Sequence, residues 1–171
     1  LGFTTAPGGT AQIAADPVRS AAEPHHLLSV TTQVLAAIVA TKGNPHCHVI
    51  LRGGSNGPNY GEEAVAAAVA LLGKNKLPGK LMIDTSHANS GKDPAKQPQV
   101  AADIARQIAG GSRVIFGVMI ESFLVGGRQE ISERGSMTFG QSVTDGCLAW
   151  DTTVPVLEEL PDAVRLRRAG G

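Results

Sequence analysis

Three short apolar runs each end in polar chemistry. Val49-Ile50-Leu51 runs into Arg52-Gly53-Gly54, Leu81-Met82-Ile83 runs into Asp84-Thr85-Ser86-His87-Ala88-Asn89, and Val114 to Ile120 runs into Glu121-Ser122. Aliphatic and β-branched runs of this length, flanked by turn residues, predict buried strands. Their ends leave room for one crossover helix between neighbours, which is the spacing of βαβ units in a parallel sheet. The segments between carry helical patterning. Ala11 to Ala22 predicts one helix, alanine-rich Glu62 to Leu72 a second, and Gln99 to Ala109 a third that Gly110-Gly111 stops. Pro155 to Arg168 predicts the last, with Arg165, Arg167 and Arg168 near the end where cations suit the helix dipole. Gly2 to Thr10 reads as a strand end and a turn-rich loop, and His26 to Val30 with Ala36 to Thr41 as a ribbon outside the main sheet. Thr85 to Pro98 and Ser122 to Gln141 read as loops, and Thr144 to Trp150 as a short helical turn.

Side chains at the C-terminal ends of successive parallel strands are how (β/α) barrels build active sites. Arg52, His87 and Glu121 are therefore expected to face one mouth. The chain has 171 residues, short of the roughly 250 of an eight-stranded barrel. It opens at Leu1 on a strand end, which predicts the C-terminal part of a longer protein.

Lys plus Arg and Asp plus Glu both number 15, so no global field favours nucleic acid or an anionic membrane. No apolar stretch approaches the roughly 20 residues of a membrane span, and no charged-then-apolar signal segment opens the chain. A cytoplasmic location is expected, with Cys47 and Cys147 reduced and structural.

His87, Glu121 and Asp145 form the sharpest constellation, each on or just after a predicted strand. One imidazole and two carboxylates suit a divalent transition metal such as Mn, Fe, Co or Zn. The plainer alternative has His87 capping a helix, Glu121 in a salt bridge and Asp145 as an N-cap. Arg52 before two glycines could grip a phosphate or carboxylate bidentately, with the glycines allowing close backbone approach. Alternatively it pairs with a neighbouring carboxylate. Ser86 and Asn89 flank His87 and either orient it or cap the next helix, while Lys92 is either an anion contact or a solvated loop lysine. His25, His26, His46 and His48 fall near strand starts, the wrong end for barrel catalysis, and are expected to be structural.

These segments resemble the type I 3-deoxy-D-arabino-heptulosonate 7-phosphate (DAHP) synthase family. The matching stretches are Gly43-Asn44-Pro45, Val49 to Gly54, Pro58-Asn59-Tyr60, Met82-Ile83-Asp84 with Ser86 to Ser90, Gly117 to Ser122, and Gly140 to Asp145 with Cys147 and Trp150. They run in order along nearly the whole chain. The resemblance implies an α/β fold, the C-terminal half of a (β/α)8 TIM barrel covering about strands five to eight, with the short β-ribbon as an extra. It implies one domain over residues 1–171 whose N-terminal half is absent. It implies a transferase that condenses phosphoenolpyruvate with erythrose 4-phosphate and water, the first step of the shikimate pathway to aromatic amino acids. His87, Glu121 and Asp145 match the family's metal ligands, Arg52 matches an arginine that binds phosphoenolpyruvate, and catalytic duty falls on Arg52 and His87, with Arg52 and Asp145 also contacting substrate. A homo-oligomer is expected of the full-length protein.

Two departures from the family qualify this. The family's fourth metal ligand is a cysteine of the N-terminal half; Cys47 lies toward the opposite end of its strand, and a helical turn would face Cys147 away from Asp145. Where the family reads Gly-Phe-Lys-Asn-Gly-Thr, this chain reads Gly2-Phe3-Thr4-Thr5-Ala6-Pro7, so Thr4 replaces a lysine that contacts phosphoenolpyruvate. Losing such a group costs on the order of 10²–10⁴ in rate. The alternative function is accordingly a catalytically dead half-barrel, or a partner subunit that completes another chain's barrel. In the family, feedback inhibitors bind partly against the segment matching Leu27, Ser29 and Val39. Serine at position 29 resembles forms that respond to phenylalanine or tryptophan.

Overall fold

The computed structural model describes every residue except 6, 7, 9, 133, 134 and 171. Ala6 and Pro7 of the departing segment, and Gly9 of the turn beside them, lie outside the described residues.

Four parallel strands make the main sheet: β1 (Gly2–Thr4), β4 (His48–Leu51), β5 (Leu81–Asp84) and β6 (Ile115–Met119), side by side in that order. Between β1 and β4 the chain forms α1 (Ala11–Ala22) and the antiparallel ribbon β2 (His26–Val30) with β3 (Ala36–Ala40). Helices α2 (Glu62–Lys74) and α3 (Gln97–Ala109) supply the next two crossovers. Two small parallel pairs come after β6. β7 (Ser122–Phe123) pairs with β10 (Leu148–Ala149), and β8 (Val125–Arg128) with β9 (Gln141–Ser142). Helix α4 (Trp150–Ala169) closes the described chain against α3.

The period of two along each strand decides which side chains meet the helices. Val49 and Leu51, and Leu81 and Ile83, are almost wholly buried in one cluster with Ala14 and Val18 of α1, Val65, Ala68 and Leu72 of α2, and Val100, Ile104 and Ile108 of α3. The intervening Ile50 and Met82 point to the other face, beside glycines. A Cβ on Gly2 would sit 2.3 Å from Ile50, and one on Gly117 2.7 Å from Met82. That arrangement fixes the register and holds the polar strand ends level with one another.

Helix α1 and the ribbon match the sequence pattern, and β4, β5, β6, α2 and α3 differ from it by a few terminal residues. Two elements differ in kind. Residues 144–150 form no helical turn. Cys147 exchanges backbone hydrogen bonds with Gly127, and the Leu148 amide donates to the Glu121 carbonyl at 2.9 Å, so tertiary partners draw the segment out as a strand. Helix α4 starts at Trp150 rather than Pro155. Pro155 and Pro161 both sit inside it, and the Thr153 hydroxyl donates back to the Ala149 carbonyl at 3.0 Å in its first turn. The loop expected over residues 122–141 also contains β7 and β8. Among the described residues, no helix is long and apolar enough to cross a membrane. Both cysteines are free thiols.

Candidate active site

The polar residues after three neighbouring strands converge at one end of the sheet. Arg52 follows β4 directly, Asp84 ends β5 with His87 three residues on, and Glu121 lies two residues past β6. Asp145 arrives from the turn between β9 and β10. With Ser86, Lys92 and Gly146, the residues Arg52, His87, Glu121 and Asp145 line a cavity of about 140 Å³. A larger hollow, about 560 Å³, lies at the strand starts beside Cys47 and His48, but no carboxylate lines it. Convergent polar groups, rather than volume, mark a site.

One donor atom from each of His87, Glu121 and Asp145 lies within 4.8 Å of the other two. The His87 Nε2 is 3.6 Å from Glu121 Oε1. Nitrogen and two carboxylate oxygens at this separation fit a divalent cation that takes mixed N/O ligands, with coordination positions left over. His87 does not sit as a simple helix cap. Its backbone is in the left-handed region at φ 52°, uncommon for a residue with a Cβ.

Hydrogen bonds hold the cluster from behind. Asp84, 2% exposed, accepts from His87 Nδ1 at 2.8 Å and from the Ser86 amide at 2.8 Å. With its Nδ1 proton directed at Asp84, His87 presents Nε2 to the cavity. The Ser86 hydroxyl donates to Glu121 Oε2 at 2.7 Å. Asn89 is buried and spans two strand ends, donating to the Leu51 and Asp84 carbonyls at 3.2 and 2.7 Å. Ser86 therefore orients the acidic ligand candidate, and Asn89 braces the loop.

Arg52 is held in place through its backbone. Among the described residues no carboxylate lies within 4.0 Å of its guanidinium, whereas its backbone is fixed by the Thr5 hydroxyl and by the Ala88 amide. Gly53 beside it serves packing. At φ 72°, a Cβ there would lie 2.8 Å from the Ala88 and Asn89 backbone, so the glycine lets the Arg52 loop press on the His87 loop.

Cys147 follows Asp145 by two residues in an extended segment, not a helical turn. Burial pushes its thiol up from the ordinary value, and the charges of Glu121 and Asp145 push the same way, against a hydrogen bond with Ser142. Its sulfur donates to the Asp145 carbonyl at 3.6 Å.

Other candidates lie elsewhere. Leu27, Ser29 and Val39 sit on the exposed ribbon, Leu27 opposite Val39 and Ser29 opposite Ala37, and none of them lines the cavity. Thr4 ends β1 opposite Ile50 and is exposed. His48 packs edge-on against Phe116, and His25 bonds the Ser20 carbonyl, both structural duties. Sequence reasoning misses Asp84, whose signal is its place at a strand end three residues before a histidine.

The family model described as DAHP synthetase I family matches residues 7–158. A phospho-2-dehydro-3-deoxyheptonate aldolase of Haemophilus influenzae is 47% identical over 168 residues, covering 98% of this chain and 46% of the relative. The Phe-sensitive enzyme of that name from Escherichia coli K12 is 46% identical over 168 residues, covering 98% and 48%. The solved structure of the Francisella tularensis aldolase of that name superposes with a TM-score of 0.92 at 52% identity, covering 97% of this chain and 48% of that one. The chain thus spans about half the length of the relatives it matches.

Proposed function

The chain belongs to the DAHP synthetase I family, and on that premise we propose that it forms the C-terminal half of a (β/α)8 barrel that condenses phosphoenolpyruvate with erythrose 4-phosphate and water to give DAHP and phosphate. The observation that carries this reading is the convergence of His87, Glu121 and Asp145 beside Arg52 in one cavity at the strand ends. In a barrel of the relatives' length, β1 and β6 would each find a further strand on their open edges.

Arg52, unpaired among the described residues, holds the phosphate or carboxylate of phosphoenolpyruvate as a two-pronged donor. His87, Glu121 and Asp145 hold a divalent Mn, Fe, Co or Zn ion, which when bound supplies Lewis-acid polarisation of the aldehyde. Asp84 keeps the His87 Nδ1 proton directed away from the cavity, leaving Nε2 free as a ligand. Asp145, exposed at the rim, also contacts substrate. The methylene carbon of phosphoenolpyruvate forms a bond to the aldehyde carbon, water adds at the neighbouring carbon, and the bond from that carbon to the phosphate oxygen breaks. Arg52 and Lys92 face the negative charge gathered in this step.

A second reading is favoured by Thr4, which stands where the resemblance expects a substrate-binding lysine: a catalytically silent half that completes another chain's barrel. Consumption of phosphoenolpyruvate, dependent on erythrose 4-phosphate, distinguishes the two. A polypeptide of the relatives' length carrying this chain is expected to turn over, and His87→Ala to abolish turnover. The 171 residues alone are expected to be inactive. Silence of the longer polypeptide, unrelieved by Thr4→Lys and by added N-terminal halves of the family, overturns the synthase reading.

A further inference from the structure

We propose that Gln97 is the positioning residue for Glu121: its side-chain amide takes over the strand ladder where β5 ends and so sets the carboxylate's place beside His87 and Asp145. The inference rests on reading Glu121 as a metal ligand. Pairing between β5 and β6 stops at Asp84 and Met119, and the last backbone rung is the Thr85 amide donating to the Met119 carbonyl at 2.9 Å. Beyond it the chain turns into the short helical stretch His87–Asn89, so β5 offers no backbone partner to Glu121, two residues farther along. Gln97 fills that gap from the first position of α3, wholly buried. Its Nε2 donates to the Glu121 carbonyl at 2.9 Å, and its Oε1 accepts from the Glu121 amide at 2.9 Å. The Glu121 N–H can only donate and its carbonyl only accept, which fixes which end of the amide is oxygen; the Thr85 hydroxyl lies 2.9 Å from the same Oε1 and 3.0 Å from the Met119 carbonyl.

A primary amide closed on both polar groups of one residue restrains translation and rotation together, as a strand neighbour would. The Glu121 carbonyl accepts a second bond, from the Leu148 amide, so its backbone is held by the Gln97 side chain on one side and by β10 on the other. With the backbone so held, the Ser86 hydroxyl needs only to choose the side-chain rotamer. Glutamate at position 97 would turn an acceptor toward the Glu121 carbonyl; methionine would keep the volume and remove the clamp.

The test is binding of Mn(II), and the visible spectrum of bound Co(II), in the intact polypeptide that carries this chain. Gln97→Met and Gln97→Glu are expected to weaken Mn(II) binding by about 10- to 100-fold, the usual effect of losing an outer-shell partner, and to alter the Co(II) spectrum. Gln107→Met is the control. Gln107 is also a buried glutamine of α3, donating to the Tyr60 carbonyl and to Asp103, both at 2.7 Å. Its loss is expected to lower thermal stability while leaving Mn(II) affinity at the wild-type value. Where the two Gln97 variants fail to fold, Gln97→Asn, which keeps the amide but retracts it, serves in their place with the same expectation. Folded Gln97 variants with wild-type affinity and spectrum, while His87→Ala loses Mn(II), overturn the inference alone. So does failure of every Gln97 variant to fold, which makes the clamp purely structural. A wild type that binds no Mn(II), or a His87→Ala variant that binds it normally, overturns the metal reading and the inference with it.

Discussion

His87 Nδ1 lies 2.8 Å from Oδ2 of Asp84, a carboxylate 2% exposed at the end of β5. The pair is local, three residues apart, yet it decides which imidazole nitrogen faces Glu121. A carboxylate can only accept here, so Nδ1 carries a proton and Nε2 is the nitrogen turned toward Glu121. Asp84→Asn keeps the shape but offers a weaker acceptor and an amide that can turn its donor to His87. Affinity for Mn(II) is expected to fall by about 10- to 100-fold with the fold retained. Titration of Mn(II) against both proteins, with circular dichroism as the control, checks this.

Gly53 gives a steric prediction. At φ 72° with the Ala88 and Asn89 backbone 2.8 Å from any Cβ, Gly53→Ala meets both a dihedral and a contact penalty. A cost of roughly 1–3 kcal/mol is expected from the left-handed backbone alone, and relief of the contact displaces the His87 loop. Thermal unfolding and Mn(II) binding are expected to fall together. Unchanged stability would show that the two loops are not in contact in solution.

The strands were legible because the period of two survives in Val49, Leu51, Leu81 and Ile83, and because their ends are marked by glycine and polar residues. Helix α1 was legible from its apolar spacing although Pro17 lies inside it. The start of α4 was not, because Pro155 suggests a first turn and the Thr153 back-bond that accompanies the earlier start is a matter of geometry. The turn at 144–150 misled for a different reason: Thr144 to Gly146 carries turn residues, while the partners that extend Cys147 and Leu148 are Gly127 and Glu121, distant in sequence. In the site, Arg52, His87, Glu121 and Asp145 could be picked out as chemically suited residues after strands. Asp84 and Gln97 could not, since an aspartate at a strand end and a glutamine at a helix start have many ordinary uses.

Arg52 tests the anion site. Lysine keeps the charge but cannot present two parallel N–H groups to one phosphate or carboxylate. In the full-length context Arg52→Lys is expected to raise the KM for phosphoenolpyruvate by about tenfold or more, the loss of one charge-assisted hydrogen bond of roughly 1.5–3 kcal/mol, with a smaller change for erythrose 4-phosphate. Equal changes for both substrates would place Arg52 outside the phosphoenolpyruvate pocket.

Ser29 lies on the exposed ribbon opposite Ala37, beside the pair Leu27 and Val39. Where an aromatic inhibitor seats against this ribbon, a serine hydroxyl at position 29 would take the space that a tyrosine hydroxyl requires. A full-length protein carrying this ribbon is expected to be inhibited by phenylalanine or tryptophan and not by tyrosine, and Ser29→Gly to gain tyrosine sensitivity. Inhibition assays with the three amino acids decide this; tyrosine inhibition of the unaltered protein, or indifference to all three, refutes it.

Asp103 gives the pH prediction. Burial alone would raise its carboxyl, but hydrogen bonds from Arg106 and Gln107, with the Arg106 charge, outweigh it and hold the group below the ordinary carboxylate value. The bonds are 2.8 Å from Arg106 and 2.7 Å from Gln107, and Gln107 also reaches the Tyr60 carbonyl at 2.7 Å, so the charge anchors α3 to the segment leading into α2. Because the folded value is the lower one, the unfolded chain takes up the proton first as the solution is acidified. The stabilisation is complete above the unfolded value of about 3.9 and is lost as the pH falls through the depressed folded value. Asp103→Asn abolishes this dependence. The gap in melting temperature between wild type and variant is expected to be constant from about pH 7 to pH 5 and to narrow below pH 4, as the wild-type carboxyl protonates. A gap that widens on acidification would mean that burial, not the Arg106 and Gln107 bonds, governs Asp103.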